Sequence, residues 1–371
     1  MAKGQFEKVY RKENKMFIYL VALACFLSNI SQLPLLVSAG MTQKLNMPIW
    51  IVLLLYLFLK KKIRFFYSTF KMFFAIGVVF ILIVLSSILT YNAYLSSSVL
   101  QCLILSFFIY CLGTFVGGDF TDKDLKFICL SYAASATIVA ISIYLEYFSV
   151  GFDITSRQYA YASKNSISQI VFTSIIILMF IHFEKVRMFN WLKSLAIIFE
   201  VLLLMLLKSR ATIIGFAICL LYIIFGKQFN RKLKYLLMTI VIIATLTLLL
   251  NDSMFNMVVN NIMFAGRDAS SLDSLTSGRI SILSEFPTLI KGHWLTGIGS
   301  LYFECFPLSC ILQFGIITGS IVCIGYGINS FFEGLAPIGP GVKCYFMWLM
   351  YGILSSRKTE RNIWSEGESY E

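Results

Sequence analysis

The chain contains little charge and few of the residues that usually build a metal or redox centre. Only 13% of its 371 residues are Asp, Glu, Lys or Arg, and it has two histidines and nine cysteines, with no two cysteines at CxxC spacing. The absence of CxxC spacing argues against a metal or redox role for the cysteines. We expect them to be small apolar residues buried among the helices. The low charge, with 58% hydrophobic residues and a mean hydropathy of +0.80, excludes an ordinary soluble domain.

Long runs that almost lack charge divide the chain into segments suited to a lipid bilayer. Because a bilayer offers no partner for free backbone groups, each run is expected to be a helix that closes its own hydrogen bonds. We predict an all-α, polytopic integral membrane protein of about 11 transmembrane helices, which form a single domain over residues 1–371. The predicted spans are residues 16–38, 43–59, 72–90, 97–117, 126–149, 167–183, 191–207, 211–226, 234–250, 306–329 and 341–354.

The distribution of Lys and Arg predicts the orientation of the chain in its membrane. With the N-terminus in the cytoplasm, most basic residues fall in cytoplasmic segments, as the positive-inside rule requires. Topology and anionic headgroups then explain the net charge of +12 without a nucleic-acid partner. The polar stretch 251–304, between the ninth and tenth predicted helices, faces outward as a large extracytoplasmic loop, and connecting loops of this kind often carry function.

Four arginines lie on the predicted outer face, where the positive-inside rule predicts few basic residues. They are Arg157, Arg210, Arg267 and Arg279. The short LKSRAT turn puts Arg210 close to the membrane surface, and the planar guanidinium suits bidentate contacts with a lipid-linked phosphate. The alternative is a side chain that only anchors the end of a helix at the interface.

Five motifs follow one another over residues 150–352. They are SRQYAYASKN, LKSRAT, SGRI, LTGIGSLYFECFPLSCILQFGIITG and INSFFEGLAPIGPG. Together they resemble the bacterial O-antigen and capsular polysaccharide polymerases. The resemblance implies a glycosyltransferase of the bacterial cytoplasmic membrane that moves a growing glycan from undecaprenyl diphosphate onto the next lipid-linked repeat unit, at the outer face. It implies no cofactor, and a chain-length regulator and a flippase as partner proteins.

This reaction needs a base for the attacking sugar hydroxyl and positive charge on the departing diphosphate. We expect Glu304 to be the base and Arg279 to stabilise the leaving group, so that these two residues are the catalytic candidates. If arginines supply the charge, no metal is required. The candidates for substrate binding are Arg157, Lys164, Asn165, Arg210, Arg267, His293 and Tyr302.

Two other functions stay open. The O-antigen ligases are similar in plan, but Glu304 stands where the resemblance implies the presumed basic histidine of a ligase, which favours a polymerase. A transporter or flippase of lipid-linked oligosaccharides is the other alternative, because Glu200 and Glu146 are carboxylates within predicted spans. The chain shows no internal repeat of the kind that many transporters have, which argues against this alternative.

The C-terminal region does not fit the predicted topology. Eleven spans that start inside would put the tail outside, yet the tail carries Arg357, Lys358 and Arg361. The resemblance implies a further cytoplasmic loop and helix between the LQFGI span and the FFEGLAPIGPG segment. We therefore hypothesise an internal deletion of one loop and much of two helices, which would impair the enzyme.

Overall fold

A computed structural model describes residues 2–60, 97–151, 164–181, 187–226, 231–259, 279–298, 306–326 and 342–367, together with a few isolated positions. Every regular element within these ranges is helical, as the sequence predicts. The chain divides into two compact units, which are treated separately below. Unit 1 comprises Met1–Tyr132 with Arg279–Glu371, and unit 2 comprises Ala133–Gly278.

The helices are numbered in chain order. They are α1 (Ala2–Ile30), α2 (Pro34–Ser38), α3 (Thr42–Lys60), α4 (Ser97–Val116), α5 (Asp122–Val150), α6 (Lys164–Phe180), α7 (Arg187–Leu206), α8 (Arg210–Phe225), α9 (Arg231–Leu250), α10 (Asp252–Asn256), α11 (Arg279–Leu289), α12 (Phe306–Tyr326) and α13 (Val342–Gly367). A 3-10 turn, Gly117–Asp119, separates α4 from α5.

Two described helices are long and apolar enough to cross a membrane, Asp122–Ser149 and Met188–Leu206. A third crossing results if Lys234–Leu250 and Asp252–Val259, which meet at 103°, form one bent span. Shorter apolar helices coincide with several other predicted spans, while the span predicted at 72–90 lies outside the described ranges. The described helices are consistent with an all-α membrane protein, and the number of about 11 spans stays a prediction.

Helices α4 and α13 of unit 1 touch through their backbones. A Cβ atom added to Gly352 would collide with the carbonyl oxygen of Tyr110, and one added to Gly117 would lie 3.0 Å from Cβ of Ser356. From the first contact to the second, the residue numbers rise along both helices, from 110 to 117 and from 352 to 356. The helices therefore run parallel. The absence of side chains at the contact lets the helices approach more closely than larger residues would permit.

Arg357, ten residues before the end of α13, fastens this helix to the turn that follows α4. Its guanidinium donates to the carbonyl oxygens of Gly117, at 3.4 Å, and Phe120, and to Oδ1 of Asp122, at 2.8 Å. The carbonyl groups at the end of a helix have no partner within that helix, and a cationic donor there also suits the helix dipole. The C-terminal end of α4 is therefore tied to the middle of α13.

The predicted span at 306–329 is not one straight helix. Gly315, with φ 80° and ψ 170°, divides α12 into two halves. A Cβ built on Gly319 would lie 2.6 Å from Cα of Ile311, although eight residues of a straight helix would separate these positions by about 12 Å. The halves therefore fold back beside each other. Each is about 15 Å long, half of what a bilayer of roughly 30 Å requires.

The segment before α12 holds this bend. The backbone N–H of Ile316 donates to the carbonyl oxygen of Trp294, and the N–H of Ile298 donates to that of Leu312, both at 2.7 Å. Only glycine suits position 315, because its φ is positive and a Cβ would collide with the carbonyl oxygen of Leu295. The prediction of a single straight span at 306–329 is therefore wrong. Hydropathy shows that this segment is apolar, but it does not show that the chain turns back at Gly315.

We predict that alanine at position 352 destabilises unit 1. Its methyl group would collide with the Tyr110 carbonyl, and overpacking of this kind costs about 1–3 kcal/mol. Gly215→Ala is the matched control, because its Cβ would meet Cζ of Phe172 at an ordinary 3.4 Å and alanine is the better helix former. Thermal unfolding in detergent should show a lower Tm for Gly352→Ala only. Equal losses in both variants would contradict the close approach.

A second prediction concerns the side of the tail. Because α4 and α13 are parallel and Arg357 joins α13 to Asp122, Thr359 and Lys123 should lie on the same side of the membrane. In a chain whose native cysteines are replaced by serine, Thr359→Cys and Lys123→Cys should both resist an impermeant maleimide in intact cells and react in inverted vesicles. Asn165→Cys, at the exposed start of α6, should show the reverse. Opposite labelling of positions 123 and 359 would contradict the parallel arrangement.

Candidate functional site

Helices α6 and α7 of unit 2 are antiparallel and have a defined register. The hydroxyl of Ser174 donates to Oε1 of Glu200 at 2.9 Å, and Nζ of Lys193 donates to the carbonyl oxygen of Ile181 at 2.9 Å. Seven residues forward on α6 thus correspond to seven residues back on α7. Extended in the other direction, this register puts Lys164, the first residue of α6, beside the C-terminal end of α7.

A very short turn connects the end of α7 to α8. The backbone N–H groups of Leu207 and Lys208 donate to the carbonyl oxygens of Leu203, at 2.9 Å, and Met205, at 3.1 Å, and so complete α7. Lys208 then adopts φ 50°, and it is the one non-glycine residue with positive φ in the described part of the chain. A left-handed residue after a helix reverses the chain, but glycine usually occupies this position. Strained residues of this kind are common at functional sites.

The turn presents its polar residues in a largely buried setting. Lys208 and Ser209 are each 6% exposed, and Arg210 is half-buried. The hydroxyl of Thr212 donates to the carbonyl oxygen of Ser209 at 2.8 Å, which fixes the first turn of α8. Ser209 is the N-cap residue of α8, but its side chain makes no capping hydrogen bond. The turn therefore holds a buried Lys208 and a half-buried Arg210 two residues apart.

The electrostatics of this end of unit 2 favour an anion. Helix α6 is antiparallel to α7, and the turn at Lys208 reverses the chain into α8, so that the N-termini of α6 and α8, at Lys164 and Arg210, point the same way. The N-terminus of a helix carries partial positive charge and readily binds phosphate. Lys164, Lys208 and Arg210 add formal charges, and the exposed Asn165 adds an amide. We call these four residues the basic cluster.

The structure describes the positions of only some of the other predicted site residues. His293 is exposed in the turn after α11, where its backbone N–H donates to the carbonyl oxygen of Ile290 at 2.8 Å. Arg279 is the first residue of α11, but its side chain is outside the described part. The remaining candidates lie outside the described ranges altogether, and their roles stay predictions. They are Arg157, Arg267, Tyr302 and Glu304.

Of the predicted residues, Lys164 and Asn165 at the start of α6 and Arg210 at the start of α8 are placed at the same end of unit 2 by the register of α6 against α7. Their role in binding stays a prediction. Lys208 is a cluster residue that the sequence did not single out. Its place in a four-residue polar break between two apolar runs was visible, but its burial and its left-handed conformation were not.

Comparison with known proteins places part of the chain in a family. Residues 194–314 match the family model Wzy_C, described as O-antigen ligase. This match supports a relation of the chain to the O-antigen ligase-like superfamily. No curated protein and no solved structure matches the chain.

The resemblance to this superfamily, predicted from the motifs, is confirmed. Enzymes of the O-antigen ligase-like superfamily are membrane glycosyltransferases that act on lipid-linked oligosaccharides. The matched segment begins within α7, contains Lys208 and Arg210, and ends at Phe314, one residue before the bend in α12. Lys164 and Asn165 precede it, so that the basic cluster combines matched and unmatched residues.

The conformation of Lys208 gives a testable prediction. A residue with a Cβ at positive φ costs about 1–2 kcal/mol relative to one that adopts this region freely, so Lys208→Gly should be more stable than Lys208→Ala by about 1 kcal/mol. Within α8, where the backbone is ordinarily helical, glycine should be the less stable residue. Ala217→Gly should therefore lower the free energy of unfolding by about 1 kcal/mol. Denaturant unfolding in detergent measures both differences. A Lys208→Gly variant less stable than Lys208→Ala would contradict the left-handed turn.

Proposed function

We propose that the protein is a polysaccharide polymerase. It transfers an undecaprenyl-diphosphate-linked glycan, an O-antigen or capsule chain, onto the next lipid-linked repeat unit. The observation that carries the proposal is the basic cluster: three cationic side chains and two helix N-termini gathered at one end of unit 2, with Lys208 and Arg210 inside the segment that matches the superfamily. A diphosphate is the kind of dianionic group that such a cluster would bind.

In the proposed reaction, a hydroxyl oxygen of the acceptor sugar attacks the anomeric carbon of the donor glycan. The bond from that carbon to the diphosphate oxygen breaks, and its electron pair leaves with the lipid diphosphate. The hydroxyl proton goes to a base, for which Glu304 is our candidate. The cationic side chains stabilise the charge that grows on the diphosphate, which is where fixed positive groups accelerate a reaction most. Arg210 and Lys208 are the described residues with this proposed role.

The remaining predicted residues keep their proposed roles. Arg279 would assist the departing diphosphate. Contacts with the sugar or the diphosphate are proposed for four further residues, which are Arg157, Arg267, His293 and Tyr302. No metal is needed for charge stabilisation if these cations provide it.

The proposed setting is the bacterial cytoplasmic membrane. The N-terminus would face the cytoplasm and the basic cluster the extracytoplasmic side, in agreement with the clustering of Lys and Arg at the opposite helix ends. In this setting a flippase would deliver the lipid-linked units and a chain-length regulator would limit the polymer.

An O-antigen ligase is the second candidate, because the matching family model carries that description. Ligase and polymerase share the lipid-linked donor and differ in the acceptor. Glu304, at the position where the resemblance implies a histidine in ligases, favours the polymerase. A transporter of lipid-linked oligosaccharides is a weaker candidate, since the basic cluster would then have no chemical step to serve.

The proposal predicts the behaviour of a strain that lacks its own polymerase but makes matching repeat units. Expression of the chain should produce a ladder of polymer lengths on a gel. Arg210→Ala should slow chain extension about a hundredfold, the usual loss when one group that stabilises a transition state is removed. Glu304→Gln and Arg279→Ala should also abolish the ladder while the proteins accumulate normally in the membrane.

Arg231→Ala is the control for charge alone, because Arg231 is exposed at the start of α9 and has no proposed role. It should leave the ladder unchanged. A single capped unit on lipid A instead of a ladder would identify a ligase. If the strain without the chain failed to expose lipid-linked units at the outer face, and expression of the chain restored their exposure, the protein would be a transporter. Normal ladders from Arg210→Ala, Glu304→Gln and Arg279→Ala would remove the proposed site.

A further inference from the structure

Glu200 is a fully buried carboxyl group that the proposed reaction does not use. It lies in α7 with 0% exposure, between α5 and α6. Its Oε1 atom is 2.7 Å from Oγ1 of Thr137 on α5 and 2.9 Å from Oγ of Ser174 on α6. Its Oε2 atom is buried and has no hydrogen-bond partner among the residues that the structure describes. All of these residues belong to unit 2.

An ionised Glu200 does not suit this environment. A carboxylate shares its charge between two oxygens, yet both hydroxyl groups contact Oε1 and no donor faces Oε2. No basic side chain of the described residues forms an ion pair with Glu200: the ammonium group of Lys193 donates to the Ile181 carbonyl, and Lys208 is eight residues along the helix, at about 12 Å. A buried charge without a counter-charge and without full hydrogen bonding is strongly unfavourable.

A protonated Glu200 accounts for every hydrogen in the group. Ser174 donates its hydroxyl hydrogen to Oε1, and Oε1 donates the acid proton to Oγ1 of Thr137. The Thr137 hydroxyl then donates to the carbonyl oxygen of Ala133, which lies 3.0 Å away. The only group left without a partner is the neutral carbonyl oxygen Oε2, whose burial is far less costly than that of a charge.

We infer that Glu200 is a proton-binding site, a neutral carboxylic acid that joins α5, α6 and α7 by hydrogen bonds. The bound proton, rather than a metal or alkali ion, completes the group. Glu200 is thereby a positioning residue: it sets the register of α6 against α7, which brings Lys164 to the end of α7. The inference does not depend on the proposed function. It also gives this intramembrane carboxyl a role other than ion coupling in a transporter.

Infrared spectroscopy of the full chain in lipid nanodiscs tests the proton directly. At neutral pH the difference spectrum between wild type and Glu200→Gln should contain a carboxylic acid C=O stretching band. Thr137→Val should move this band to higher frequency, because the acid loses the acceptor of its proton. Glu285→Gln, at an exposed carboxylate of α11, is the matched control and should remove no such band. Carboxylate bands in place of the acid band, or bands that move when sodium replaces potassium, would overturn the inference.

The variants also separate a neutral role from a charged one. With its amide nitrogen in the place of Oε1, Gln can donate one N–H to Oγ1 of Thr137 and the other to Oγ of Ser174, so Glu200→Gln should accumulate normally and extend polymer within about twofold of wild type. Glu200→Ala removes the shared partner and should lower the Tm. A Glu200→Gln protein that folds normally but has lost activity would overturn the inference, because it would require the negative charge. The infrared result stands by itself if the chain proves not to be a polymerase.

Discussion

The pairing of α6 with α7 is the constraint on which the candidate site depends. Two hydrogen bonds, from Ser174 to Glu200 and from Lys193 to the Ile181 carbonyl, fix how far the helices slide along each other. A shift by one helical turn would move Lys164 by about 5 Å from the end of α7. In an apolar environment side-chain packing alone specifies such a register weakly, and polar contacts between helices add specificity.

Unit 1 is assembled by a different means. Its closest helix contact, between α4 and α13, relies on missing side chains at Gly117 and Gly352, and the bend in α12 relies on Gly315. Where unit 2 uses hydroxyl and carboxyl groups to align helices, unit 1 uses direct backbone approach. Both solutions satisfy the same requirement, because helices in lipid gain little from hydrophobic burial against each other.

The sequence predicts the helices well because apolar runs and basic flanks depend on composition alone. It also predicts Arg210 as a residue of a tight turn, since LKSRAT interrupts two apolar runs. It does not predict the reversal at Gly315, because hydropathy is the same for a straight helix and a folded one. The burial of Lys208 and the partners of Glu200 were equally hidden, as each depends on contacts between helices distant in the chain.

The parallel pairing of α4 with α13 has a consequence for biosynthesis. The two helices are separated by more than half of the chain, so α4 enters the lipid long before α13 has left the ribosome. Until then the surface of α4 around Gly113, which meets Gly352 of α13 in the folded chain, can only contact acyl chains or another transient neighbour. Unit 1 thus completes its assembly only after α13 has been synthesised. A nascent chain interrupted before residue 342 leaves this surface of α4 uncovered, and quality-control proteases can recognise it.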